Sequence, residues 1–414
     1  MSTKPFVVPR LSAMMFLEFF VWGAWYATGG LVLAKSGLSS IIGTVYSVGA
    51  IAAIIAPFFL GMVVDRFFAS EKVLGLLHIV GGILLWLIPG QIKAGNGTAL
   101  VWLVFIYMLT YMPTLALTNN VAFHNIPDSV KHFPVIRVFG TIGWIVAGLL
   151  IGQLGFSDHP TIFQIAAGAA ILLGLFSFTL PHTPAPAKGK PLSVRDLLCL
   201  DALQMLKDKN YLVFIVCSLL ICVPLAVYYS FTSPFLGAVG FQNVGSVMTI
   251  GQMSEIFFML LIPFFFRHLG VKYMLLVGMI AWTARYLLFG FGAPAEATWF
   301  MYLGIALHGI CYDFFFVTGF IYAEQKAGEK IKGQAQSLLV LFTQGIGMYF
   351  GNMIAGQLFN SIVTAQGKDA LVQWQTFWFY PAIAAAVIAV VFFVLFREKG
   401  LSAASTKTYD NAKA

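Results

Sequence analysis

Long apolar runs, each broken by a short polar or glycine-rich interval, organise this chain from residue 11 to residue 396. A hydrocarbon layer about 30 Å thick is crossed by about 20 apolar residues in helical form. Helices and closed barrels alone satisfy their own backbone groups there. The pattern predicts twelve spans, at 11–34, 41–64, 73–92, 99–123, 133–155, 160–180, 211–236, 244–267, 272–292, 298–322, 333–363 and 374–396. The eleventh is long, and its Gly345, Gly347, Gly351 and Gly356 suit close packing or a bend. The first is long enough to stay as a helix rather than be removed as a leader.

The one sizeable polar interruption covers residues 181–210, where Pro181, Pro184 and Pro186 precede a basic patch. Six spans lie on either side of it. The expected domains are a six-helix bundle at 1–180, a cytoplasmic linker at 181–210, a second bundle at 211–396 and a cytoplasmic tail at 397–414. The halves share a plan. Ile142-Gly143 and Gly152-Gln153-Leu154 of the fifth span answer Ile346-Gly347 and Gly356-Gln357-Leu358 of the eleventh, at a constant offset of 204 residues. Tyr111 likewise answers Tyr312, and Arg66 answers Arg267. Duplicated bundles suit alternating access, with a site at their interface near the bilayer midplane.

Composition agrees with the pattern: 59% of residues are hydrophobic and 10% are charged. The net charge of +8 is distributed by topology. Lys4, Arg10, Arg66, Lys72, Lys131, the linker bases, Arg267, Lys272, Lys326, Lys330, Lys332 and the tail bases fall on one side. The other side receives Lys35, Lys93 and Lys368. Basic loops stay inside, so both termini are expected in the cytoplasm, and the basic balance does not imply nucleic acid. Cys199, Cys217, Cys222 and Cys311 make no metal-ligand spacing and are expected as reduced thiols. No H-E-x-x-H, G-x-S-x-G or P-loop pattern occurs, so neither an enzyme, a cofactor nor a metal is expected.

Glu18, Arg137, Glu255 and Asp313 each lie inside a long apolar span. A charge at the bilayer centre costs about 2.5–3.5 kcal/mol on insertion scales, so such residues face a cavity or a partner. Arg137, Thr141 and Trp144 share one helix face at i, i+4 and i+7, a stripe suited to a hydroxylated, aromatic solute. Gln252 and Glu255 share a face of the eighth span, and Glu255 is expected to exchange a proton. In the tenth span His308 and Tyr312 share a face, while Asp313 points about 100° away and is expected to couple protons to conformation. Arg285 is its expected partner. Glu18, Trp22 and Trp25 follow i, i+4, i+7, and Glu18 is read as a cavity-lining carboxylate and a further proton-coupling candidate. Asn119, Asn120, Gln344 and Asn352 are read as interhelical hydrogen-bonding residues.

Gly61, Asp65 and Arg66 lie in a G-x-x-x-D-R loop followed by Glu71-Lys72. This resembles the cytoplasmic signature of the major facilitator superfamily, and it is expected to gate conformations through a charge network. The implied fold is an all-α membrane protein with twelve transmembrane helices in two six-helix bundles. Longer stretches resemble the nucleoside:H+ symporter family within it: residues 16–25, Tyr111-Met112-Pro113-Thr114, residues 133–143, Gln252-Met253-Ser254-Glu255, Tyr312-Asp313-Phe314-Phe315 and Trp374-Gln375-Thr376. The resemblance runs in order along essentially the whole chain.

That resemblance implies proton-driven nucleoside uptake across a bacterial inner membrane by a chain that is expected to be monomeric. It makes Arg137, Thr141, Trp144, Gln252, Glu255 and Tyr312 solute-binding candidates, and it makes Asp313 a coupling candidate. His308 falls where a characterised family member has Tyr. In span seven, Ala226 and Tyr229 stand where that member has amides, so Tyr229 joins the solute-binding candidates and sugar recognition is expected to differ. A carrier of another hydroxylated solute, such as a sugar, is the alternative.

Overall fold

The computed structural model describes residues 6–60, 64–185, 199–328, 330–365 and 368–397. Among these residues the regular structure is entirely helical. Among the described residues ten helices are long and apolar enough to cross a membrane. In chain order they and their shorter companion are α1 (Val7–Lys35), α2 (Ser39–Phe59), α3 (Ser70–Lys93), α4 (Gly97–Asn125), α5 (Ser129–Gln153) and α6 (Thr161–Ser177). Then come α7 (Lys209–Val239), α8 and α9 (the two arms of Val244–Gly292), α10 (Thr298–Ala327), α11 (Lys332–Ile362) and α12 (Lys368–Leu395).

The predicted gap between spans eight and nine is a single break. Gly270 has φ 66° and ψ 177°, backbone that a Cβ disfavours, and helix continues on both sides of it. Side chains start other helices by accepting orphan N–H groups. Asn96 Oδ1 takes the Ala99 N–H at 3.1 Å, and Asp128 Oδ1 takes that of Lys131 at 3.0 Å. The π-helical turns Asp313–Val317 in α10 and Leu341–Gly347 in α11 have no counterpart in the hydropathy pattern. Leu260, Phe264, Ile383 and Val390 are among the large apolar side chains left exposed for lipid.

By contacts the chain forms two compact units. The first gathers α1–α6 with Tyr228–Thr249 and Asn352–Asn360. Within it α1 packs on α5 and α6, α3 packs on α4 and α6, and α2 packs on α4. Leu11, Met14, Met15, Leu74, Leu117, Val121, Ile136 and Leu173 form a buried core there. Gly143 sets the α1–α5 spacing, because a Cβ on it would collide with the Phe16 carbonyl. Asn120 Nδ2 donates to Ser70 Oγ at 2.7 Å, and Ser230 Oγ donates to Asn352 Oδ1 at 2.5 Å.

The second unit gathers the start of α7, residues Ile250–Gly351 and α12. Ile262, Met274 and Phe314 centre one of its cores, and Tyr286 OH donates to the Pro224 carbonyl at 2.6 Å. Cys199, Cys217, Cys222 and Cys311 are free thiols, and all but Cys199 are buried.

Candidate functional site

In the first unit, the close α1–α5 approach brings the stripe on α5 against aromatic residues of α1. The Arg137 guanidinium lies 4.2 Å from the Phe19 ring centroid, a cation–π arrangement. Trp144 meets Trp22 edge-on at 5.4 Å and Tyr26 at 6.2 Å. Tyr229 adds its ring 5.7 Å from Tyr26. Arg137, Thr141, Trp144, Trp22 and Tyr229 are all half-buried. The arrangement offers a cation, a hydroxyl and several ring faces on one surface. From sequence, Trp22 entered only the stripe with Glu18 and Trp25, and Tyr26 was not singled out.

Glu18 sits one turn before Trp22, yet it lines no open surface, with 0% of its area exposed. Its Oε2 is 2.8 Å from His78 Nε2 on α3. Thr114 Oγ1 on α4 is 2.6 Å from its Oε1, and Tyr111 OH donates to its backbone carbonyl at 2.9 Å. Trp25 is buried against Tyr107 and Phe163. The reading of Glu18 as a cavity-lining carboxylate therefore gives way to an enclosed carboxyl–imidazole pair. His78 was missed as its partner because a single histidine in an apolar span has no pattern of its own.

In the second unit, His308 Nε2 lies 2.8 Å from Glu255 Oε1, joining α10 to α8. The backbone sets this pairing. Ser254 Oγ donates to the Ala306 carbonyl at 2.6 Å and accepts the Gly309 N–H at 2.7 Å, so the residues beside them face each other. Glu255 keeps 17% of its side chain exposed and His308 only 1%. The Tyr312 ring lies tilted against that of His308 with centroids 5.8 Å apart, and Gln252 is buried with its Oε1 unpartnered among the described residues. Gln252, Glu255, His308 and Tyr312 thus belong to two helices that Ser254 ties at this level.

Asp313 opens the π-helical turn of α10 and is fully buried. Neither of its carboxylate oxygens has a hydrogen-bond partner among the described residues. The expected pairing with Arg285 is not a hydrogen bond, since neither Asp313 oxygen accepts one, and Arg285 Nε donates instead to the Gly304 carbonyl at 2.9 Å. Ala226 is also buried, its Cβ packed where a side chain on Gly351 would go. That departure in α7 is absorbed by helix packing.

Of the gating residues, Gly61 and the side chain of Asp65 lie outside the described residues, and Arg66 is half-buried. Nearby Glu71 accepts the Thr183 N–H at 2.9 Å and lies 2.9 Å from His182 Nδ1. The Ser70 N–H donates to the Thr183 carbonyl at 2.9 Å, so the chain leaving α6 is tied to the start of α3. Among the described residues no cluster of His, Cys, Asp and Glu is arranged to hold a metal.

Comparison with known proteins gives this geometry a family. The model of the nucleoside H+ symporter family matches residues 6–400. The candidate nucleoside transporter YegT of Escherichia coli (strain K12) is 42% identical over 413 residues, covering 97% of this chain and 96% of that protein. The nucleoside permease NupG of the same organism is 31% identical over 409 residues, covering 94% and 96%. A crystal structure of the nucleoside transporter NupG superposes with a TM-score of 0.86 at 30% identity, covering 95% of this chain and all of that one.

Proposed function

Because the chain belongs to the nucleoside H+ symporter family, a family of multi-pass membrane transporters, we propose that it carries nucleosides inward across a bacterial inner membrane together with protons. Translocation proceeds by alternating access. The whole-length family match carries this reading, and the polar groups inside the spans supply its chemistry. Arg137, Thr141, Trp144 and Tyr229 are solute-binding residues through a cation, a hydroxyl and ring faces, as are Gln252, Glu255, His308 and Tyr312. Glu255 keeps part of its side chain exposed and has an imidazole at 2.8 Å, which suits a group that meets both solute and proton. Asp313 acts behind it as the coupling acid, and the Gly61–Arg66 loop acts as a gate. The basic loops support cytoplasmic termini, and the working unit is a monomer.

Uptake of labelled uridine and adenosine into proteoliposomes, with an inward proton gradient and with a protonophore, tests the reading. Accumulation that collapses with the protonophore is expected; equal uptake under both conditions excludes proton coupling. The Tyr229 substitution motivates a second reading, a carrier of another hydroxylated solute such as a sugar. A thermal-shift panel of nucleosides, bases and sugars separates the two, and a response to sugars alone would overturn the nucleoside assignment.

A further inference from the structure

Glu18 and His78 form an ionisable pair that solute binding leaves unused. They are 0% and 2% exposed, with His78 Nε2 2.8 Å from Glu18 Oε2. Thr114 Oγ1 stands 2.6 Å from Glu18 Oε1 and also 2.6 Å from the Tyr111 carbonyl. A hydroxyl carries one proton and can accept as well as donate. With one proton on the pair, His78 Nε2–H donates to Oε2 and Thr114 donates to Oε1. With a second proton taken from water, Oε1–H donates to Thr114 Oγ1, and Thr114 turns its own hydrogen to the Tyr111 carbonyl. Neither form orphans a buried atom of this network, which is the penalty that normally fixes the protonation of a buried pair. A purely structural ion pair needs no such second arrangement.

We propose that Glu18 and His78 form a proton-binding site within the first unit, separate from the acids of the second, which Thr114 makes reversible and which acts on the solute-binding face through Tyr111 and Trp22. The connection is short. Tyr111 holds the Glu18 carbonyl at 2.9 Å, and its ring lies 6.1 Å from His78 and 5.5 Å from Trp22. Trp22 in turn packs on Trp144 at 5.4 Å. The ionisable groups facing this region are His78 from α3, Tyr107 and Tyr111 from α4, and Arg137 from α5. Helix α6 has no ionisable side chain between Thr161 and Ser177. The link to solute rests on the nucleoside reading; the proton site does not.

Infrared titration of the full chain in lipid vesicles without solute, between about pH 5 and 8, tests the site directly. A protonated-carboxyl band that grows on acidification and is absent from Glu18→Gln is expected. In Thr114→Val, which removes both the donor to the ionised carboxyl and the acceptor for the protonated one, the pH at which the same band appears should move. A wild-type minus Glu18→Gln difference that is flat across the range overturns the proposal. If Glu18→Gln does not fold, Thr114→Val decides, and an unmoved titration overturns it. For the link to solute, uridine affinity should change about fivefold or more over this range in the wild type and lose that dependence in Glu18→Gln. An unchanged pH profile in a folded Glu18→Gln protein overturns the link. A wild type that binds no uridine counts against the nucleoside reading, while the infrared titration still decides the proton site.

Discussion

Glu18 and Asp313 are both acids buried completely inside membrane-spanning helices, and their surroundings are opposite. Glu18 has an imidazole on one oxygen, a hydroxyl on the other and a tyrosine on its backbone carbonyl. Asp313 has no hydrogen-bond partner on either oxygen among the described residues, and it stands where α10 departs from regular α-helix. A buried polar group without a partner costs about 1–3 kcal/mol by mutational measures, and a charge costs more. The first unit therefore stabilises its acid in the arrangement seen, whereas ionising Asp313 there would leave a charge with no compensating donor. Such a group gains from any rearrangement that brings one, which is the property expected of a coupling acid. Glu255 lies between these extremes, paired with His308 and partly open.

The largest expected effect tests the partnered acid. His78→Leu removes one member of an enclosed pair and should lower stability by about 3 kcal/mol or more, because the carboxyl is left buried without its imidazole. Thermal unfolding in detergent measures it. Asp313→Asn should change the same midpoint little, since no bond is lost. If the two substitutions destabilise equally, the contrast between the acids is wrong.

Glu255→Gln comes next. Loss of its carboxyl beside His308 should weaken solute binding by about 2 kcal/mol, roughly thirtyfold. His308→Gln should do nearly the same, and the double variant should fall well short of the sum, because one interaction is removed twice. Equilibrium binding of labelled uridine to the three variants provides the cycle. Additive losses would mean that the 2.8 Å pair does not act as a unit.

Asp313→Asn should leave binding and nucleoside exchange intact while proton-driven accumulation falls about tenfold or more, equivalent to about 1.4 kcal/mol. Counterflow and gradient-driven uptake in the same proteoliposomes separate the two. Parallel loss of both would make Asp313 a binding residue and remove the asymmetry between the acids.

How much of this was legible in the sequence depends on the range of the interactions. The spans were legible because hydropathy is local, and the α5 stripe because Arg137, Thr141 and Trp144 need only helical periodicity. The Glu255–His308 pair was not, since it depends on how Ser254 seats α10 on α8 through Ala306 and Gly309. Glu18 and His78 are 60 residues apart, and only the packing of α1 and α3 reveals them as partners. Arg285 appeared complementary to Asp313 in charge, but among the described residues no donor reaches either Asp313 oxygen, and the Arg285 Nε bonds the Gly304 carbonyl. The π-helical turn at Asp313 carries no periodic signature, so the position of its carboxyl could not be read from helical spacing.

A third acid at the start of α7 supplies the control for the two buried ones. Asp208 is 40% exposed, its Oδ1 accepts the N–H groups of Asn210 at 2.9 Å and Tyr211 at 3.0 Å, and its Oδ2 lies 3.1 Å from Lys326 Nζ. The Tyr211 N–H is the main cause holding its carboxyl below the ordinary carboxylate range; desolvation opposes this, and Lys326 and the Asn210 N–H add to the lowering. A depressed folded value means that the stabilisation is fully present above the unfolded pKa and is lost as pH falls through the folded one. Asp208→Ala should therefore cost about 1 kcal/mol at neutral pH, as for other helix caps, and nothing measurable in strong acid. With the Asp208 carboxyl 40% exposed, the ion pair is screened and most of that loss belongs to the cap, so Lys326→Ala should cost less than half as much. Thermal midpoints of the two variants across acid and neutral pH decide between cap and ion pair. If Lys326→Ala proves the more damaging, contact distance alone cannot rank the acids of this protein, and the contrast between Glu18 and Asp313 would need the same correction.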